Sequence, residues 1–121
     1  MSNSSKKKIV TITRSRWARG KKNRPRESCF SQLLHNSLYN EGLNTMCCLG
    51  FVCRAKGAKV KNIRGVALPD AAKDWQSPDW LDDIADQAAT VNDRYGITDR
   101  EREKQLRELF ADTPIRLKFV P

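Results

Sequence analysis

At 121 residues with a net charge of +9 at neutral pH, the chain is long enough for one domain that buries about two-thirds of its unfolded surface. No apolar run approaches the roughly 18 residues of a membrane span, and no apolar segment follows the basic start as a secretory signal would require. Cys47 and Cys48 are adjacent, and three of the four cysteines share one apolar segment, which favours buried, reduced thiols in a cytoplasmic protein.

The positive charge is concentrated in the first half of the chain. Residues 1–66 carry 15 Lys and Arg against 2 Asp and Glu, whereas residues 67–121 carry 8 against 12. A strongly basic half followed by a mildly acidic half indicates a negatively charged partner that meets one face of the protein.

A short polar segment precedes the first predicted element. We expect residues 1–8 to be a flexible basic terminus and residues 9–121 to form a single domain. Residues 9–13 alternate in polarity and are rich in β-branched side chains, a pattern that predicts a β-strand.

A basic loop, residues 14–26, follows this strand and contains Trp17. Between Lys6 and Arg26 there are ten cations and no carboxylate. Because such cations repel one another, we interpret the segment as an interaction surface and expect its neutralisation to leave the melting temperature nearly unchanged. Trp17 has two interpretations: the ring stacks on a base, or it is buried in the core because it closely follows a strand.

A capped helix is predicted after the loop, over residues 29–40. Ser28 can cap its first turn and Gly42 can end it. Residues 43–45 then form a short connector to the next helix.

The most apolar run of the chain is residues 46–57. As a helix it would be apolar on nearly every side, so we expect other elements to pack around it. Gly50 in its interior predicts that another backbone passes close by, and Gly57 supplies a left-handed stop.

Two further helices and a last strand are predicted in the second half. Residues 58–66 favour a strand or a loop, because basic and apolar side chains alternate there. Ser77-Pro78-Asp79 predicts a helix start, with Ser77 as the cap and an end by about residue 92.

A capping box formed by Thr98 and Glu101 opens the next predicted helix, which runs to about residue 111 and carries a Glu103–Arg107 pair. Residues 115–120 alternate as a strand. Terminal strands around about four helices predict a small α+β domain whose N- and C-terminal strands pair in a small sheet.

The residues that could carry catalysis or bind metal do not form a familiar pattern. The cysteine spacings place the thiols on different helix faces, so we predict no metal and no cofactor. The chain also has no phosphate-binding glycine motif. Two enzymatic alternatives stay open: a thiol enzyme using Cys47 or Cys48 with His35, and a nuclease using the aspartates between residues 70 and 86.

Several short segments resemble a group of small phage-encoded proteins of unknown activity that share a Gly-x-x-x-Met-Cys-Cys-Leu-Gly segment. The matching residues are Trp17-Ala18-Arg19-Gly20, residues 42–50, Asn92-Asp93, Arg102-Glu103, Leu109-Phe110 and Phe119-Val120. The resemblance implies a phage or prophage accessory protein acting in the bacterial cytoplasm. It supplies no catalytic residues.

Together these features predict a non-enzymatic phage accessory protein that binds a host nucleoprotein or nucleic acid through a basic surface. Its most concrete form is an inhibitor of a host defence complex such as a CRISPR effector. A small enzyme and a DNA-binding regulator of the phage are the alternatives. The predicted binding residues are Lys6, Lys7, Lys8, Arg14, Arg16, Trp17, Arg19, Lys21, Lys22, Arg24, Arg26, Lys59, Lys61 and Arg64.

Overall fold

The computed structural model describes residues 7–20, 22, 38–40 and 42–121. Its regular elements are β1 (Lys8–Thr13), α1 (Cys48–Ala55), α2 (Val60–Ile63), α3 (Asp79–Asp93), α4 (Asp99–Leu109) and β2 (Ile115–Val120), with short 3₁₀ turns at Arg14–Arg16 and Pro69–Ala71. This is the predicted α+β class, a small domain with helices between two terminal strands. Residues 29–37 of the helix predicted over residues 29–40, and residues 1–6 of the terminus predicted to be flexible, lie outside the described residues.

The two terminal strands pair directly, as the alternating patterns predicted. The strands are parallel, with Lys8 beside Ile115 and Thr13 beside Val120. The inward side chains of β1, Val10 and Ile12, are buried, whereas Ile9 remains 48% exposed. Strand β1 begins at Lys8, one residue before the start of the predicted strand.

Helix α1 is the centre of the core, which confirms the interpretation of the apolar segment. Its residues from Cys48 to Cys53 are all buried. They pack with Trp17, Ile12 and Phe110, which come from other parts of the chain. The helix is one turn shorter than predicted, since Cys47 is its N-cap and Lys56 its C-cap. Gly57 follows the C-cap and has the positive φ that was predicted, +101°.

A second backbone passes close to α1 at Gly50, also as predicted. A Cβ atom at this position would lie 1.9 Å from the carbonyl oxygen of Leu38. The Leu38 segment is extended, not helical: Leu38 N–H donates to Val66 O at 2.7 Å, and Asn40 N–H to Thr45 O at 2.7 Å. The predicted helix therefore does not reach residues 38–40.

The second half of the chain follows the predicted order with local corrections. Residues 60–63 form α2 where a strand or loop was predicted. The Asn62 side chain stabilises this turn by accepting a hydrogen bond from Lys59 N–H at 2.7 Å. Pro78 occupies the N-cap position of α3, and no described side chain caps the helix there. The Ser77 hydroxyl donates instead to the Asp82 carboxylate at 2.6 Å, so Ser77 is not the cap that the sequence predicted.

Helix α4 begins as the capping box predicted. Thr98 Oγ1 accepts a hydrogen bond from Glu101 N–H at 3.1 Å. The helix ends at Leu109, two residues before the predicted end. Leu106 and Phe110 are buried against the core, so one face of α4 anchors the helix while its charged faces remain available for other contacts.

Candidate functional site

Part of the basic loop is held inside the fold by carboxylates of α4. Arg14 donates two hydrogen bonds to Glu103, from Nε to Oε2 at 2.7 Å and from Nη2 to Oε1 at 2.9 Å. Such a two-point pair with a largely buried carboxylate is a strong, geometrically specific contact. Arg107 is also within 3.9 Å of Glu103, which confirms the predicted pair on α4.

Among the described cations of the loop, Arg19 is the most buried, with 6% of its surface exposed. Its guanidinium lies 4.7 Å from the centre of the Trp17 ring and donates to Asp99 Oδ2 at 2.8 Å. Nη1 donates to the carbonyls of Arg14 and Trp17. Lys22 reaches the same Asp99 oxygen at 3.2 Å. The guanidinium N–H groups of Arg19 are therefore hydrogen-bonded to other groups of the protein.

Trp17 is fully buried, which favours the core interpretation over base stacking. Its indole Nε1 donates to Asn92 Oδ1 at 2.7 Å, and the same oxygen accepts from Cys48 N–H at 3.0 Å. The Asn92 amide nitrogen donates to Ala18 O at 2.9 Å. Asn92 therefore ties the basic loop, α1 and α3 together in the protein interior.

These contacts change the expected effect of neutralising the loop. We predicted a nearly unchanged melting temperature, because the loop contains no acid. The structure supplies the missing carboxylates from α4, so removal of Arg14 or Arg19 would leave Glu103 or Asp99 poorly compensated and destabilise the fold. Arg14, Trp17 and Arg19 serve as structural residues.

The pairs around Asp99 give the fold a defined acid sensitivity. The pKa of Asp99 is lowered to about 2, mainly by the hydrogen bond from Arg19 and further by the contact with Lys22. Partial desolvation of the carboxylate acts in the opposite direction. Because the folded pKa is depressed, the stabilisation is present above the unfolded value near 4 and is lost as the pH falls from about 5 to 2.

We therefore expect Asp99→Asn to lower the free energy of unfolding by about 1–2 kcal/mol at pH 7 and to have little effect at about pH 2 and below. Denaturant unfolding of both proteins across this pH range measures the difference. Asp112→Asn on the surface serves as the control. A difference between wild type and Asp99→Asn that stays constant with pH would contradict the assignment.

One group of exposed cations lies outside the loop, at the end of α1 and in α2. We call this group the basic patch; it consists of Arg54, Lys56, Lys59 and Lys61. All four are exposed, and none forms an ion pair with a carboxylate among residues 7–20, 22, 38–40 and 42–121. Arg64 is exposed beside them, and Lys8 Nζ lies 2.6 Å from Ala55 O at the end of α1.

The other predicted binding residues fall into two groups. Lys7 donates to Ala111 O, and Arg16 is exposed but bonded to Asn44, with Nη2 2.9 Å from Asn44 Oδ1. Lys6, Lys21, Arg24 and Arg26 lie outside the described residues. The predicted binding residues include Lys59 and Lys61 of this patch but not Arg54 and Lys56, although residues 54 to 64 carry five cations and no acid.

The thiols of the apolar segment are poorly suited to nucleophilic chemistry. Cys47, Cys48 and Cys53 are free and buried, as the sequence predicted for this segment. Burial raises the pKa of Cys47 to about 12 and holds the pKa values of the other two well above their usual range. A nucleophilic cysteine needs thiolate character, which this environment opposes. Cys29 and His35 lie outside the described residues.

The aspartates between residues 70 and 86 are spread over the 3₁₀ turn at Pro69–Ala71, the segment that follows it and the first part of α3. Within the described part of the chain, no group of three or more His, Cys, Asp and Glu side chains lies close enough to hold a metal ion. No helix in that part is long and apolar enough to cross a membrane. The chain matches no family model, no curated protein and no solved structure.

Proposed function

We propose that the protein is a non-enzymatic phage accessory protein that binds a host nucleoprotein or nucleic acid, most concretely as an inhibitor of a host defence complex in the bacterial cytoplasm. The observation that carries this proposal is the basic patch. Four cations within eight residues face solvent without ion pairs to described carboxylates. A surface of this kind attracts a polyanion at long range and binds it by contact with several negative groups.

The internal pairs of the loop support this placement of the interface. Arg14, Arg19 and Lys22 are bonded to carboxylates of α4, so their charge is already compensated within the fold. The patch residues keep their full charge for a partner. The proposal therefore assigns the principal binding surface to residues 54–61, whereas the sequence alone predicted it between residues 6 and 26.

A charge-removal experiment tests the proposal. Replacing Lys56, Lys59 and Lys61 with Gln should weaken binding of a short fluorescein-labelled nucleic-acid duplex on the order of ten- to a hundredfold in low salt. The slope of log affinity against log salt should fall by roughly 2–3, because each lost phosphate contact removes about 0.7–0.9. Fluorescence anisotropy over a salt series measures both quantities.

The matched control is the Gln variant of Lys104, Arg116 and Lys118, which are exposed on α4 and β2. Both variants lose three positive charges, so only the position of the charge differs. Equal weakening by both variants would show a non-specific charge effect. Affinity-tagged protein recovered from infected cells, with and without nuclease, then separates a protein partner from a nucleic-acid bridge; recovery of no partner in either condition would contradict the proposal.

A further inference from the structure

One edge of β1 has unpaired backbone groups within the described part of the chain. Lys8 N–H donates to Pro114 O at 3.2 Å, so the alternate residues Lys8, Val10 and Ile12 direct their backbone groups towards β2. The N–H and C=O groups of Ile9 and Thr11 therefore point to the opposite side. No described residue forms a backbone hydrogen bond with them there. Such an edge is a template for pairing with another chain.

A groove lies along this edge. It has a volume of about 440 Å³ and is bounded on one side by residues 9–11 of β1 and on the other by the end of α1 and the turn after it. Phe51, Ala55 and Ala58 supply apolar surface, whereas Arg54 and Lys59 of the basic patch place positive charge at the groove. No carboxylate of the described residues lines it.

We propose that an extended, acidic peptide segment of the partner binds in this groove by adding, as a third strand, to the edge of β1 that no described residue pairs with. The inference rests on the proposed function and specifies the partner chemistry at the basic patch. The edge offers alternating donors and acceptors, which a peptide backbone can satisfy in full, whereas phosphate oxygens only accept hydrogen bonds. The charges of Arg54 and Lys59 select acidic side chains.

The side-chain pattern of the peptide also follows from the groove. Ile9 is 48% exposed at the edge, and side chains of an added strand alternate between the two faces of the sheet. An acidic residue at every second position, with β-branched residues between, would fit this arrangement. A second copy of the same chain fits less well, because pairing two β1 edges would bring the Lys8, Arg54 and Lys59 side chains of both copies together.

Thr11→Pro tests the backbone part of the proposal. It removes the outward N–H without removing a hydrogen bond to β2, a change that edge strands tolerate. Thr11→Val keeps the N–H and is the matched control. Wild-type protein is used to select binders from a displayed library of random octapeptides, and the affinities of the enriched peptides are then measured for each variant.

We expect enriched peptides rich in Asp, Glu and β-branched residues. Their affinity should fall roughly tenfold or more with Thr11→Pro and change little with Thr11→Val. Ile9→Glu, which repels an acidic strand without touching the ladder, should weaken binding similarly. In wild-type protein the Ile9 and Thr11 amides should exchange rapidly with solvent and become protected when peptide is added, while the Val10 and Ile12 amides are protected throughout.

The outcomes separate this inference from the proposed function. Peptides without acidic enrichment, no enriched peptide, or unchanged affinity for both Thr11→Pro and Ile9→Glu would overturn strand addition. A self-association seen by light scattering and abolished by Thr11→Pro would also overturn it, since the occupant would then be a second copy. In each case, loss of partner binding in the Lys56, Lys59 and Lys61 variant would leave the proposed function standing.

Discussion

Replacing Gly50 with alanine should destabilise the protein by about 3 kcal/mol or more, the upper end of the range for overpacked interiors. The new Cβ atom would lie 1.9 Å from the Leu38 carbonyl oxygen and 2.8 Å from its carbonyl carbon. Both atoms belong to a backbone and cannot rotate away as a flexible side chain would. The extended Leu38 segment must separate from α1, and it can do so only by breaking its hydrogen bond to Val66 or opening the core.

Gly42→Ala is the control for this prediction. At Gly42 a Cβ atom would be 3.4 Å from the nearest heavy atom, the side-chain oxygen of Asn40. This is ordinary contact, so the control should unfold at nearly the wild-type denaturant concentration. Equal midpoints for Gly50→Ala and wild type in chemical unfolding would show that the Leu38 backbone does not pack on α1.

Replacing Asn92 with leucine should have the second large effect, about 3–5 kcal/mol. The substitution keeps a similar side-chain size but removes an acceptor for Trp17 Nε1 and Cys48 N–H and a donor to Ala18 O. Each buried group left without a partner costs roughly 1–3 kcal/mol, and the costs are not fully additive. Thermal unfolding followed by circular dichroism measures the change.

A double-mutant cycle assigns part of this loss to the indole. Trp17→Phe removes the Nε1 donor, so adding it to Asn92→Leu should cost less than it costs in the wild type. Gln87→Leu, an exposed change on the same helix, should stay within about 0.5 kcal/mol of wild type. If Asn92→Leu behaves like Gln87→Leu, the hydrogen bonds of Asn92 do not hold the loop in place.

Local signals in the sequence predicted the elements best where one short segment determines them. The Thr98 cap and the apolar stripe of α4 lie within a few turns of each other, and the alternation of β2 lies within six residues. Helix α2 was not predictable in this way, because its single turn depends on an Asn62 side chain bonded to the preceding backbone. A four-residue helix is too short for a periodic pattern.

The role of the basic loop was not predictable from its own composition. Without acids between residues 6 and 26, the loop looked uncompensated, but Glu103 and Asp99 approach it from a helix about 80 residues later in the chain. Charge compensation depends on distance in space, which a window along the sequence does not contain. For the same reason, the sequence did not predict the contact between Asn92 and Trp17 or the orientation of β1 relative to β2.

The pairing of β1 with β2 has a consequence for how the chain reaches its native state on the ribosome. Lys8 pairs with Ile115, so the sheet cannot close until nearly all of the intervening chain has been synthesised. Contacts between such distant residues require a large loss of loop entropy before they contribute stability, which slows folding. During synthesis both edges of β1 are therefore available for non-native pairing, and we expect the nascent chain to depend on chaperones more than a helical protein of similar size.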